Sequence, residues 1–289
     1  MRNYPAKILL FGEYTIISGG MALAIPYHKF NGHWQYAKVS EDRHKLQQEL
    51  SDFTTYLESL HYEGQLLCEL DIDAIWDELE RGLFFQSDIP IGYGAGSSGA
   101  FCAAFYDRFV RHKLDGQQMA PLKAQLAQLE SFFHGSSSGL DPLVCYLDKT
   151  LLFEEGQLHI QEKTNSLEEA GLFLLDSGRS RQTAPLVELF LERKEDDHYA
   201  RRLQAELLPL NEEAIQAYLQ SDYDLLFDRF HQISHFQWKY FADMIPREWK
   251  DAWLEGLSGD RFKLKLCGAG GGGFILGMGE APIGKEGNS

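Results

Sequence analysis

Residues 90–100, Pro-Ile-Gly-Tyr-Gly-Ala-Gly-Ser-Ser-Gly-Ala, constrain this chain more than any other stretch. Gly92, Gly94 and Gly96 alternate, the hydroxyls Ser97 and Ser98 follow, and Gly99, Ala100, Ala103 and Ala104 open a small-residue helical pattern. Backbone without Cβ atoms can approach a polyanion closely and turn several amides toward it. A helix beginning at the same point adds the positive end of its dipole. A hydroxyl at that junction suits a phosphate-bound Mg²⁺. A plain glycine turn has the same composition, so on this stretch alone both readings stay open. The lysine of Gly-x-x-x-x-Gly-Lys-Ser is missing, which argues against an ordinary P-loop.

Two further stretches bear on the choice. Lys265-Leu-Cys-Gly-Ala-Gly-Gly-Gly-Gly-Phe-Ile-Leu276 reads as two short strands joined by glycines. Ala6-Lys7-Ile-Leu-Leu-Phe-Gly-Glu13 reads as an apolar strand with a lysine near its start and a carboxylate at its end. Each has a structural alternative, a hairpin in one case and a snorkelling lysine in the other. Taken in chain order, Lys7–Gly20, Pro90–Ala100 and Lys265–Gly273 resemble the three motifs of the GHMP kinase family.

The resemblance implies an α+β, two-domain GHMP kinase fold. An N-terminal α/β nucleotide-binding domain would span 1–165 and a C-terminal ferredoxin-like domain 166–289. It implies ATP and Mg²⁺ as cofactors and a small-molecule acceptor, and it allows a homodimer. Gly92, Gly94, Ala95, Gly96, Ser97, Ser98 and Gly99 become nucleotide-binding positions, with Gly268, Ala269, Gly270 and Gly271. Family members continue past the third motif with another strand and helix. Here a polar run to Ser289 follows and reads as a disordered tail, the mark of a reduced C-terminal domain or of a shortened chain.

Composition agrees with a soluble enzyme. The 289 residues are 44% hydrophobic, enough for two buried cores, and carry a formal charge of −16, which speaks against a nucleic-acid surface. An anionic substrate would then need a local basic pocket. Cys68, Cys102, Cys145 and Cys267 are scattered without metal-type spacing and read as free thiols of a reducing cytosol. The apolar run Ile8–Phe11 is too short for a signal peptide, and nothing approaches the ~20 apolar residues of a bilayer span.

Along the chain, residues 6–40 read as strands alternating with turns at Ser18-Gly19-Gly20 and Asn31-Gly32. Helices are predicted over 41–62, 73–81, 99–113 and 119–134, a hairpin over 151–160, a strand over 171–176, and mainly helix over 185–255. The aromatics Phe227, Phe230, Phe236, Trp238, Tyr240 and Phe241 read as core rather than as a cofactor box. The polar stretch 162–169 is the candidate boundary.

Between the glycine loops lies Glu130-Ser-Phe-Phe-His-Gly-Ser-Ser-Ser-Gly-Leu-Asp141. Phosphoryl transfer needs a carboxylate on Mg²⁺ and another to take the acceptor's proton. Spacing alone allows that, or a helix-end charge and a cap before Pro142. His134, Gly135, Ser138, Gly139 and Asp141 resemble the family's mevalonate kinase motif His-Gly-x-Pro-Ser-Gly-x-Asp, with Ser137 where proline is usual. The resemblance makes Asp141 the base, Lys7 the cation beside it, and Ser98 and Glu130 the metal ligands. It makes Glu13, His134, Gly135 and Ser138 substrate-binding. Arg181 and Thr183 resemble an arginine–threonine pair of the same branch, placed to meet an acceptor carboxylate.

The implied reaction is phosphorylation of the primary hydroxyl of mevalonate. Phosphomevalonate or another small alcohol is the alternative acceptor, and a non-catalytic metabolite-binding protein the alternative class. Several positions depart from the mevalonate kinase pattern. Tyr14 stands where histidine is usual, Cys267 where threonine is common, and Asp148-Lys149 where two glycines are usual. Residues 225–245 lack the Leu-Gly-Val pattern of those enzymes.

Overall fold

The computed structural model describes residues 1–38, 42–162 and 165–282. In chain order the elements are β1 (Tyr4–Phe11), β2 (Ala22–Tyr36), α1 (Arg43–Tyr62), α2 (Ile72–Glu80), β3 (Leu83–Ser87), α3 (Ser97–Phe109), α4 (Met119–His134), α5 (Leu140–Leu147), β4 (Thr150–Glu154) and β5 (Gln157–Gln161). They continue with β6 (Leu172–Asp176), α6 (Thr183–Lys194), α7 (Asp197–Arg202), α8 (Leu208–Gln220), α9 (Tyr223–Tyr240), α10 (Lys250–Ser258), β7 (Phe262–Leu266) and β8 (Phe274–Gly279). A π-helical turn over Leu203–Leu207 joins α7 to α8. The class is α+β. Nearly all of the polar tail lies outside the described residues.

The chain forms two compact units, each assembled from separated segments. The first takes Met1–Lys7, Pro26–Pro90 and Ala95–Lys149; the second takes Ile8–Ile25, Ile91–Gly94 and Thr150 onward.

In the first unit β2 pairs antiparallel with β3, from Gly32↔Ser87 to Tyr36↔Leu83. This corrects the turn expected at Asn31-Gly32: the strand runs straight through. A Cβ at Gly32 would lie 2.2 Å from the Phe85 ring, so glycine here makes room for a cross-strand aromatic instead of a reversal. The core is aromatic. Phe53 packs edge-on against Phe101, Phe105 and Phe132, and the Trp34 indole donates to Ala104 O. Residues 99–106 of α3 are all buried, and the small ones among them, Gly99, Ala100, Ala103 and Ala104, leave room for other backbone to come close. A Cβ on Gly99 would sit 2.9 Å from the Asp141 backbone, so α5 lies directly on α3.

In the second unit β8 is the middle strand of an antiparallel sheet ordered β6-β8-β7. Of the singled-out aromatics, Phe230, Phe236 and Phe241 are buried and belong to the core, whereas Phe227, Trp238 and Tyr240 are half-buried at its edge. The sequence Phe262-Lys-Leu-Lys-Leu266 alternates as a strand with one wet face would, yet every residue of β7 is buried. Lys263 is satisfied by the carbonyls of Gly256 and Gly259, which end α10. Lys265 has a different partner, described below. The four cysteines are free and buried. No helix among the described residues is long and apolar enough to cross a membrane.

Candidate active site

Lys7 and Asp141, 134 positions apart in sequence, meet in the first unit. Lys7 Nζ lies 2.7 Å from Asp141 Oδ1, with the lysine side chain 8% and the aspartate 31% exposed. Both are fixed by backbone. The Lys7 amide donates to Ala95 O at 2.8 Å, which ties the strand to the glycine run. Asp141 stands in the first turn of α5, where the helix dipole favours a negative charge. Gly96, at φ 74, is the N-cap of α3 and offers no side chain to its first turn. A Cβ there would press within 3.2 Å of Lys7 Cβ. The amides opening α3 therefore stand beside the Lys7–Asp141 pair without a side-chain cap.

Glu130, in the last turn of α4, joins the same cluster. It is 4% exposed and accepts from Ser98 Oγ at 3.0 Å and from Ser137 Oγ. Burial, and after it the Asp141 charge, push its carboxyl up to about 7, against the pull of Ser137, Ser98 and Lys7. Ser98 Oγ also lies 3.0 Å from His134 Nε2; with the serine hydrogen on Glu130, that nitrogen is the donor. Gly135 ends α4 with its N–H on Ser131 O, and Ser138 Oγ accepts from the Leu140 amide at the start of α5. His134, Gly135 and Ser138 are exposed.

The loop between α4 and α5 turns at Gly139, at φ 73. A Cβ there would lie 2.4 Å from Lys123 O and 2.9 Å from Ala127 Cβ. Gly139→Ala is therefore expected to lower stability by about 2–4 kcal/mol, combining a left-handed alanine with backbone overpacking. Urea unfolding measures it, and an unchanged midpoint would show that the close approach is not made.

The remaining singled-out residues gather in the second unit. The Arg181 guanidinium lies across two glycines: a Cβ at Gly94 would be 1.8 Å from it and one at Gly268 2.5 Å. Its Nη1 donates to Cys267 O, and its buried Nε has no hydrogen-bond partner among the described residues. The Arg181 amide donates to Gly92 O at 2.9 Å. These contacts bring the segment after β6 against both glycine runs and leave guanidinium donors for an anion. Thr183 opens α6 and is exposed. Glu13 is buried, not open: its Oε1 accepts from Lys265 Nζ at 2.6 Å and from the Gly268 amide at 3.4 Å. Burial raises the Glu13 carboxyl above its usual range, and Lys265 opposes the rise.

Sequence reading passed over Lys265 and Ser137. The alternation in β7 hid the first; the signal that could have exposed it is Glu13, a carboxylate at the end of an apolar strand in want of a buried cation. For Ser137, the replacement of a usual proline by a hydroxyl was the clue, since the hydroxyl reaches Glu130. A cavity of about 520 Å³ lined by Glu206, Pro209, Leu210, His231, His235 and Tyr240 contains none of the residues above.

Residues 65–149 match the family described as GHMP kinases N terminal domain. A mevalonate kinase from Thermococcus sibiricus is 28% identical over 178 residues, 54% of this chain and 52% of that protein. The chain thus spans about half the length of the curated relatives it matches. Among solved structures, L. major mevalonate kinase in complex with R-mevalonate shares 16% identity at a TM-score of 0.64, covering 96% of this chain and 86% of that one. Lactococcus lactis galactokinase complexed with galactose shares 13% at 0.63, covering 96% and 84%. Residues 65–149 thus match the GHMP kinases N terminal domain, and the chain shares the fold of these solved kinases along 96% of its length.

Proposed function

We propose that this chain transfers the γ-phosphoryl group of ATP to the primary hydroxyl of mevalonate. The observation that carries the proposal is the Lys7–Asp141 pair, 2.7 Å apart beside the uncapped N-terminus of α3. In this reading the amides around Gly96 meet phosphate oxygens, helped by the positive end of α3. Asp141 accepts the proton of the acceptor hydroxyl as its oxygen bonds to the γ-phosphorus and ADP departs. The Lys7 ammonium steadies the charge developing on that oxygen. Arg181, with unused guanidinium donors, takes the acceptor carboxylate, and Thr183 lies two residues on.

Mg²⁺ fits the residues present. Ser98 Oγ and Glu130 Oε1 converge at 3.0 Å, and Glu130 is a buried carboxylate with a strongly opposed charge. Among the described residues no group of three or more His, Cys, Asp or Glu side chains could hold a metal. An ion here would be taken with one carboxylate and a hydroxyl and completed by water and phosphate. When bound, Mg²⁺ neutralises charge on the phosphate oxygens.

The acceptor rests on the mevalonate kinases that the chain resembles, and Tyr14 favours a second reading, since Gly12-Glu13-Tyr14 more resembles phosphomevalonate kinases. ADP release measured with mevalonate, phosphomevalonate, galactose and homoserine separates the two. Release with mevalonate supports the proposal; release with phosphomevalonate alone moves the acceptor; no release with any of them removes small-alcohol phosphorylation.

A further inference from the structure

The glycine loop at 268–273 is braced by three residues, Glu13, Tyr14 and Lys265. Tyr14 Oη donates to Ala269 O at 2.7 Å, and the Gly268 amide reaches Glu13 Oε1 at 3.4 Å. Lys265 Nζ donates to that same Oε1 at 2.6 Å, and to Leu10 O and Leu266 O at 2.8 Å each. All three ammonium hydrogens are used, and the two side chains are 1% and 2% exposed. Among the described residues Glu13 and Lys265 are each other's buried counter-charge, and neither is tolerable there alone. Tyr14 sits in the left-handed region at φ 64, with its ring stacked on Phe190 at 4.5 Å and edge-on to Phe241 at 5.2 Å. A non-glycine residue holds that conformation only where its surroundings impose it.

The consequence lies in the peptide that follows. A trans peptide points its C=O and N–H in opposite directions. With the Ala269 carbonyl drawn onto Tyr14, the Gly270 amide is turned away from Tyr14. Other amides of the loop are already committed: Gly271 donates to Met244 O at 2.6 Å and Gly273 to Arg179 O at 2.8 Å. Those of Ala269, Gly270 and Gly272 show no acceptor among the described residues.

We propose that Glu13, Tyr14 and Lys265 are positioning residues that hold this loop so that the Gly270 amide is presented to a phosphate group. Glu13 then acts on ligand binding through the loop, not by touching the acceptor alcohol. The proposal rests on the reading of 268–271 as nucleotide-binding.

Tyr14→Phe tests it with the least disturbance, since the ring stays and only the hydroxyl goes. Calorimetry on the full chain with Mg²⁺ and the non-hydrolysable analogue AMPPNP is expected to show binding weakened about five- to tenfold, the scale of one hydrogen bond. KM for ATP should rise by the same factor while kcat and the acceptor KM stay within about twofold, a split that plain destabilisation would not give. Glu13→Gln should act in the same direction, and Glu13→Leu combined with Lys265→Met keeps a folded comparison free of buried charge. Wild-type binding retained unchanged in Tyr14→Phe overturns the clamp alone. A Glu13→Gln variant that raises only the acceptor KM also overturns it, by showing direct contact. Wild-type protein that fails to bind AMPPNP takes down the nucleotide reading and the clamp with it.

Discussion

Asp141→Asn is expected to lower kcat by about 10²–10⁴-fold, the usual contribution of a positioned general base. The substitution keeps the shape of the side chain and its place in the first turn of α5, so the backbone contact with Gly99 survives. It removes the charge that faces Lys7 at 2.7 Å and the oxygen that would take the hydroxyl proton. Nucleotide affinity should stay within about threefold, because the amides at 96–99 are untouched. Steady-state turnover set beside AMPPNP calorimetry checks both halves. Turnover equal to wild type would remove Asp141 from the chemistry. A wild type that binds nucleotide but turns over none of the four alcohols would favour a metabolite-binding protein built on this fold.

Glu130→Gln has an expected effect of opposite sign on stability and on activity. The Glu130 carboxyl sits at about 7 in the fold against 4.5 when unperturbed, because burial and the Asp141 charge disfavour its ionised form. A carboxyl raised in this way leaves full stability below about pH 4.5, where it is protonated folded or unfolded. The contribution drains away as pH climbs from there through 7, and above 7 ionisation costs at most about 3 kcal/mol, taking 1.36 kcal/mol per pH unit. Glutamine cannot ionise, and Ser98 and Ser137 can rotate their hydroxyls to meet it. Glu130→Gln should therefore be more stable than wild type by about 1–3 kcal/mol at pH 8 without ligand, and little different at pH 4.5. Urea unfolding at the two pH values reads this out. Turnover at saturating ATP and Mg²⁺ should fall at least about 100-fold, since the carboxylate proposed to hold the metal is gone. A variant no more stable at pH 8 would mean that Glu130 is not desolvated as its burial indicates.

Much of the local architecture was readable from residue order. Helix α4 falls on the predicted 119–134, the hairpin β4–β5 on 151–160, and β6 on 171–176 within a residue or so at the ends. These elements announce themselves through periodicity that depends only on near neighbours. Asn31-Gly32 misled for the same reason. The pair is a strong turn signal taken alone, yet the space demanded by Phe85, more than fifty positions away, requires glycine in mid-strand. The alternating lysines of β7 carry no sequence sign of their burial, since every residue of that strand is buried in the second unit.

By itself the amino-acid order determined the backbone devices: three glycine-bearing motifs, a helix just after the second of them (read as 99–113, found at Ser97–Phe109), and the α+β class. Those follow from which residues can adopt positive φ or fill a helical stripe, a property of a few adjacent positions. Only the tertiary structure decided which charges face each other. Lys265 is matched to Glu13 from 252 positions away and Arg181 lies across Gly94 and Gly268, whereas Lys7 beside Asp141 was already implied by the resemblance and is met in the fold. Burial made those pairings necessary, since an ionised group removed from water must find its partner wherever the packed chain brings one.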